Sequence, residues 1–274
     1  SGFYYYYSNP EKNILNPIAS YIDSQRTFCP VTDFKSKMEM IEFFNIKPTI
    51  WSAIYRKNFI RNNNIRFNET PGASFQDTSF NFKVWALAKR VRLMQECFLH
   101  YRQDNEASSI NNPGKVYCVC DEYNEMQRFL DCHQLIKGKL EPVMVRIKFD
   151  TYCWNYERLT ESLQAEFIQR FHEEFKKHDI EGTLQKQYFE GYKWVKIHQI
   201  IEDPKGYHNI QVKIKKGELD EKYIWANRKR RTINGKEIPY SIEKVMGGVE
   251  CIHDHGLWYT IKLFIKKAFR RIIQ

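Results

Sequence analysis

Residues 3–8 read Phe-Tyr-Tyr-Tyr-Tyr-Ser, and so dense an aromatic run constrains the fold more than any other stretch. Aromatic residues favour a pleated, half-buried surface. A strand apolar on both faces needs neighbours on either side, so the chain opens in the middle of a sheet. Asn9-Pro10 ends the run, and Tyr21 to Val31, with Pro30 near its end, is the expected returning strand.

Thr32 or Asp33 is then expected to cap a helix through Met38, Ile41 and Phe44, closed by Pro48. From Pro48 to Lys57 the pattern is strand-like and ends in Arg56-Lys57; a short helix and Ile65-Arg66-Phe67 follow. The turn Ser74-Phe75-Gln76-Asp77-Thr78-Ser79-Phe80 comes next. Beyond Asp77, apolar Phe80, Val84, Leu87 and Val91 recur at three or four residues, so a helix begins there with Asp77 at or near its N-cap. Capping alone is a sufficient use for an aspartate, worth about 0.5–2 kcal/mol. Cys97 to Arg102 forms a second strand leading into a polar loop, Gln103 to Asn112, that carries Ser108-Ser109.

Val119 to Ile136, with Tyr123, Met126, Phe129 and Leu130 at helical spacing, is a helix expected to pack under this half. From Gly138 the character changes. Val143 to Phe149 fits a strand or the first turn of a helix, Tyr156 to His178 is an amphipathic helix, and Leu184 to Ile201 is another. Lys229 to Ser241 is a hairpin turning at Asn234-Gly235, with the cluster Arg228 to Arg231 on its first arm. The domains implied are 1–137, 138–256 and 257–274.

The final segment, Leu257 to Gln274, places Leu257, Ile261, Phe264, Ile265, Ala268, Phe269 and Ile272 on one face. Lys262, Lys266, Lys267, Arg270 and Arg271 occupy the other. That is the composition of a helix lying in a membrane interface, with Lys262, Phe264, Lys266, Phe269 and Arg270 as the interfacial residues. It also fits a terminal helix docked on protein.

The 274 residues carry a net charge of +10 and are 42% hydrophobic. Such a chain buries a real core, and its charge draws phosphate in any form. Seven cysteines without regular spacing fit reduced thiols rather than a disulfide framework. No leader pattern is present, and no apolar run is long enough to span a bilayer. The expectation is a cytoplasmic protein, peripheral on a membrane if the last helix docks there. Cys118-Val-Cys120 is too closely spaced for zinc. Cys251, His253 and His255 share a side only if extended and are strained for tetrahedral coordination, so no metal site is assigned.

The Trp-bearing run ending in basic residues, the Phe-Gln-Asp-Thr turn and the Tyr-Arg…Ser-Ser loop, in that order, resemble the second half of a glycosyltransferase family 2 catalytic domain. This family uses nucleotide-sugar donors on a GT-A fold. The resemblance covers about residues 1–130. It implies an α/β fold class, a truncated GT-A-like sheet with flanking helices, followed by a mainly helical C-terminal region.

The resemblance also implies roles. Asp77 matches the family's base, and Trp51 offers a platform under the acceptor sugar. Gln76 stands where the family often has Glu, which bears on acceptor preference. Arg102, Ser108 and Ser109 would close on the leaving diphosphate. The bland counterparts are a core tryptophan, a surface arginine and ordinary loop serines. The family's Asp-x-Asp, which holds Mg²⁺ or Mn²⁺, has no counterpart before Asp77. The nucleotide-binding half is therefore expected to be missing, leaving a fragment inactive by itself. The partners implied are a nucleotide-sugar donor, a glycan or lipid-linked glycan acceptor of bacterial surface polysaccharide synthesis, and an anionic membrane surface. From a different class comes a non-catalytic basic module binding anionic membrane or nucleic acid; beside the enzyme, nucleic acid is not an expected partner.

Overall fold

The structure, a computed structural model of the chain, describes residues 1–16, 26–69, 75–102 and 115–219, with the residue pairs 232–233 and 236–237. The chain divides into two compact units, Ser1–Asn155 and Tyr156–Gln274. The first is mixed α/β and the described part of the second is mainly helical.

In the first unit β1 (Gly2–Tyr6) is the central strand of three, antiparallel to β2 (Ile14–Asn16) and parallel to β5 (Cys97–Arg102). The aromatic run thus has the strand on each side that its composition demands. Its antiparallel partner is Ile14–Asn16, however, and not Tyr21 to Val31. Residues 17–25 lie outside the described ones, and β3 (Thr27–Phe28) pairs instead with β4 (Val91–Arg92).

Helix α1 (Lys37–Phe44) is capped by Ser36, not Thr32 or Asp33. The Ser36 hydroxyl accepts the Glu39 N–H at 3.1 Å, and the Glu39 carboxylate accepts the Lys35 N–H, close to a capping box. Asp33 is engaged in a turn of its own, accepting the Cys29 N–H at 2.8 Å. The stretch after Pro48 is not a strand. Ile50–Ser52 is one turn of 3-10 helix, in which the Thr49 and Ser52 hydroxyls meet at 2.6 Å and Ser52 Oγ donates to the Thr49 carbonyl. Side chains that bond the nearby backbone draw a segment away from a sheet ladder. The short helix α2 (Lys57–Asn62) follows as expected.

Helix α3 (Gln76–Leu87) runs from the Asp77 turn. It is buried nearly all round, because Phe80 and Val84 face a cluster with Ile65 while Phe82 and Trp85 join an aromatic core. In that core Phe43 lies 5.3 Å from Phe28 and 4.5 Å from Trp85, and Phe82 lies 5.4 Å from Phe44. The predicted helix Val119 to Ile136 is two helices, α4 (Cys118–Cys132) and α5 (Gln134–Arg158). They break at His133, whose ring bonds the Phe129 carbonyl at 2.7 Å and stacks on the Phe129 ring.

Helix α5 has 25 residues and passes through Gly138 and Pro142, so Val143 to Phe149 is neither a strand nor a first turn. Every residue from 142 to 149 is buried. A helix enclosed on all sides loses the apolar periodicity that identifies one in sequence.

Two contacts join α3 to α4. The fully buried Glu122 carboxylate accepts the Ser79 N–H and Asn68 Nδ2, both at 3.2 Å. Lys83, also buried, donates to Glu125 at 2.9 Å and to the Arg66 carbonyl at 2.7 Å. The segment carrying Arg66 and Asn68 is thereby tied to both helices.

In the second unit, α6 (Glu161–Ile180) buries Phe167, Phe171 and Phe175 on one face against α7 (Gly191–Glu202) and α8 (Pro204–Lys215). The predicted Tyr156 to His178 helix is interrupted at Leu159-Thr160, and the predicted Leu184 to Ile201 helix starts only at Gly191. The additional helix α8 has its signals in the sequence: Asp203 accepts the Gly206 N–H at 2.8 Å, and Pro204 fills the first helical position. Strands β6 (Thr232–Ile233) and β7 (Lys236–Glu237) pair antiparallel, matching the predicted hairpin. The Arg228 to Arg231 cluster, the Cys251 to His255 group and the last helix lie outside the described residues. Among the described residues no helix is long and apolar enough to cross a membrane.

Removing the Lys83 ammonium takes one partner from Glu125, which is part-buried and keeps Arg128, and leaves the Arg66 carbonyl without its buried donor. Lys83→Ala is expected to cost on the order of 2 kcal/mol of unfolding free energy in urea titrations. Arg128→Ala, at the exposed end of the same network, should cost less than about 1 kcal/mol. Equal effects would contradict a buried pin.

Candidate functional site

Asp77 lies in the first turn of α3, where the helix dipole favours a carboxylate. The residue before Gln76 is unusual. Phe75 occupies the left-handed region at φ 61, a conformation rare for a bulky side chain and held at a cost of about 1–3 kcal/mol where it occurs. Such strain is typical of functional turns, and here it immediately precedes the acid.

Gln76, Asp77 and Thr78 line a cleft of about 750 Å³ within the first unit. Trp51, on the 3-10 turn, lines the same cleft and stacks on Tyr101 at 4.8 Å, with Phe3 edge-on at 4.9 Å. The expected base, acceptor platform and flanking amide therefore share one cavity, though the platform is carried by a turn and not a strand. Phe67, stacked on Phe80 at 4.1 Å, adds aromatic lining.

Burial pushes the Asp77 carboxyl up from 3.8 to about 6. Its own N–H, the Thr78 N–H, the Lys47 charge and the Thr78 hydroxyl pull the other way without cancelling it. A carboxylate in this range is largely ionised at neutral pH yet much more basic than an ordinary aspartate, which is what proton abstraction from a hydroxyl needs. Neighbouring Tyr55 is pushed up to about 12 by burial and by the Asp77 charge.

Arg102 falls elsewhere. It succeeds Tyr101 on β5, so the two side chains leave opposite faces of the sheet; Tyr101 lines the cleft and Arg102 does not. Tyr101 is a cleft residue as well. The cation on this cleft is Lys47. Its ammonium donates to the Tyr5 hydroxyl at 3.1 Å and lies 5.1 Å from the Tyr5 ring centre and 5.3 Å from that of Tyr101. Lys47 also lines a second cleft of about 1040 Å³, which shares Trp51 and Trp85 with the first. The available signal was the Lys47-Pro48 pair ahead of the tryptophan.

Ser108 and Ser109 lie outside the described residues, as do Lys262, Phe264, Lys266, Phe269 and Arg270. Among the described residues no group of three or more His, Cys, Asp or Glu side chains is placed to hold a metal ion. No family model, curated protein or solved structure matches this chain.

Because the folded pKa of Asp77 lies above the unfolded one, the fold favours its neutral form. Stability tied to this group is full below about pH 4 and declines until about pH 6. Asp77→Asn abolishes that decline. Relative to the native chain, the variant should gain about 1–3 kcal/mol between pH 4 and pH 7 in urea titrations. A difference independent of pH would show that the carboxyl is not perturbed.

Proposed function

We propose that this chain is the acceptor-side part of an inverting glycosyltransferase that uses nucleotide sugars, of the family 2 type with a GT-A fold. One observation carries the proposal: the acid predicted to be the base has a raised pKa and opens onto the same cleft as the predicted acceptor platform.

In this reaction an acceptor hydroxyl oxygen attacks the anomeric carbon of the donor. The bond from that carbon to the diphosphate breaks, its electron pair leaves with the nucleoside diphosphate, and the hydroxyl proton passes to Asp77. Configuration inverts because attack is opposite the leaving group. Trp51 supports the sugar, and Gln76 keeps hydrogen-bonding capacity beside the base without adding a second charge. We assign the departing diphosphate to Lys47, a point cation on both clefts. Arg102 could join only from the other sheet face, and Ser108 and Ser109 remain part of the proposal on sequence grounds. The Mg²⁺ or Mn²⁺ that such transferases use would act as a Lewis acid on the diphosphate when bound. The described residues offer it no ligand set, so no step here passes through it.

The acceptor is proposed to be a glycan or lipid-linked glycan of bacterial surface polysaccharide synthesis. The protein would then work at the cytoplasmic face of the membrane.

The test expresses the chain together with whatever precedes it in its natural reading frame and follows nucleoside diphosphate release from a panel of nucleotide sugars. Asp77→Asn should lower kcat by about 10²–10⁴, and native kcat should rise with pH through about 6. Transfer at the native rate by the variant would end the proposal.

A further inference from the structure

Helix α5 supplies part of the cleft that residue patterns offered no reason to expect. Ile147, Asp150, Thr151 and Trp154 all line it, and their spacing of i, i+3, i+4 and i+7 makes them one continuous face of the helix. Three of the four bear groups suited to a polyhydroxylated ligand.

The Asp150 carboxylate is fixed by Arg146 at 2.7 Å and by Asn45 Nδ2 at 3.2 Å. Arg146 is itself 2% exposed. A carboxylate offers about four acceptor sites, and this one, held in place by those donors, lines the cleft where a ligand hydroxyl would meet it. The Thr151 hydroxyl is oriented by the Tyr123 hydroxyl at 2.7 Å. Trp154 is 42% exposed although it is the largest residue type, and it meets Phe75 edge to face at 5.6 Å. Phe75 in turn adjoins Gln76 and Asp77. An apolar ring beside fixed hydroxyl acceptors is the arrangement that receives a pyranose: its C–H face packs on the ring while its hydroxyls donate to oxygen.

We infer that the Asp150, Thr151 and Trp154 face of α5 is the subsite that seats the acceptor and that it selects a neutral saccharide. The inference rests on the proposed transferase activity for the word acceptor, but the saccharide site itself stands on geometry alone. Selection against anionic sugars follows from the two carboxylates, Asp77 and Asp150, that line the cleft. Arg146 is buried against Asp150, and Lys47 donates to the Tyr5 hydroxyl and is assigned to the diphosphate, so neither cation is left to receive an anionic sugar on this face. A uronic or sialic acid placed on this face would bring a third negative charge beside them.

The test is an NMR titration of the full chain with methyl β-lactoside, methyl β-cellobioside and a size-matched glucuronoside, methyl β-cellobioside with C6 of its terminal glucose oxidised to a carboxylate. The Trp154 indole N–H resonance, assigned from its absence in Trp154→Phe, reports location, and saturation-transfer amplitudes report affinity. At least one neutral disaccharide should shift the Trp154 resonance saturably. Asp150→Asn should weaken that binding at least tenfold, Trp154→Ala should abolish it, and the glucuronoside should bind at least tenfold more weakly. Amide spectra of both variants verify the fold, and Trp154, being exposed, can be truncated without opening the core. The inference is overturned if no neutral glycoside perturbs Trp154, if Asp150→Asn leaves affinity unchanged, or if the glucuronoside binds as well.

The two ideas fail separately. Saccharide binding of this pattern in a reading frame that transfers no sugar would end the transferase proposal and leave the subsite. Transfer whose acceptor KM is unmoved by Asp150→Asn and Trp154→Ala would do the reverse.

Discussion

The carboxylate of Glu122, buried between α3 and α4, holds the start of α3 and with it Asp77 against the cleft. It accepts the Ser79 N–H two residues after Asp77 and grips Asn68 as well. Burial raises its pKa against the pull of those bonds and of the Lys83 charge. A carboxylate enclosed without such donors would be strongly unfavourable, so its partners are fixed in number and direction. Lys83, one helical turn further on, repeats the device with Glu125. Together the two contacts prevent α3 from turning about its axis, which is the motion that would carry Asp77 out of the cleft.

Electrostatics at the cleft follow from that placement. Asp77 is close enough to solvent to ionise and buried enough to resist it, and a left-handed Phe75 sets the angle at which the chain enters the helix. Lys47 is steadied among aromatic rings, each exposed cation–π contact contributing roughly 0.5–1 kcal/mol. The cleft thus joins the basic Asp77 carboxylate, the Lys47 cation, a second carboxylate, Asp150, paired with buried Arg146, and aromatic surface.

Much of this was legible from residue patterns. The aromatic run gave a central strand, Cys97 to Arg102 gave a second strand, and the spacing after Asp77 gave α3, because each of these signals is local; that the second strand pairs parallel to the first is a long-range fact that no local signal carried. The strand expected at Pro48 to Lys57 failed because Thr49 and Ser52 bond each other and their own backbone, a preference that composition does not display. The run Val143 to Phe149 hid a helix, since it is buried throughout, Arg146 and Lys148 included, and so shows no apolar periodicity. Asp150 and Trp154 were missed with it: whether they reach the cleft depends on which face of that helix turns toward it, which no neighbouring residue encodes. Arg102 was taken from the resemblance of the Tyr-Arg…Ser-Ser loop; in the strand that carries it, neighbours leave opposite faces, and Tyr101 is the one that lines the cleft.

The account depends on a single property, the basicity that burial confers on the Asp77 carboxyl. Following its side-chain carboxyl ¹³C shift by NMR from pH 3 to pH 8, with assignment from Asp77→Asn, measures that property without reference to any reaction. A midpoint near 6 is the predicted result. A midpoint near 4, the value of an exposed aspartate, would mean that the acid is an ordinary residue of a helix terminus and would contradict its use as a base.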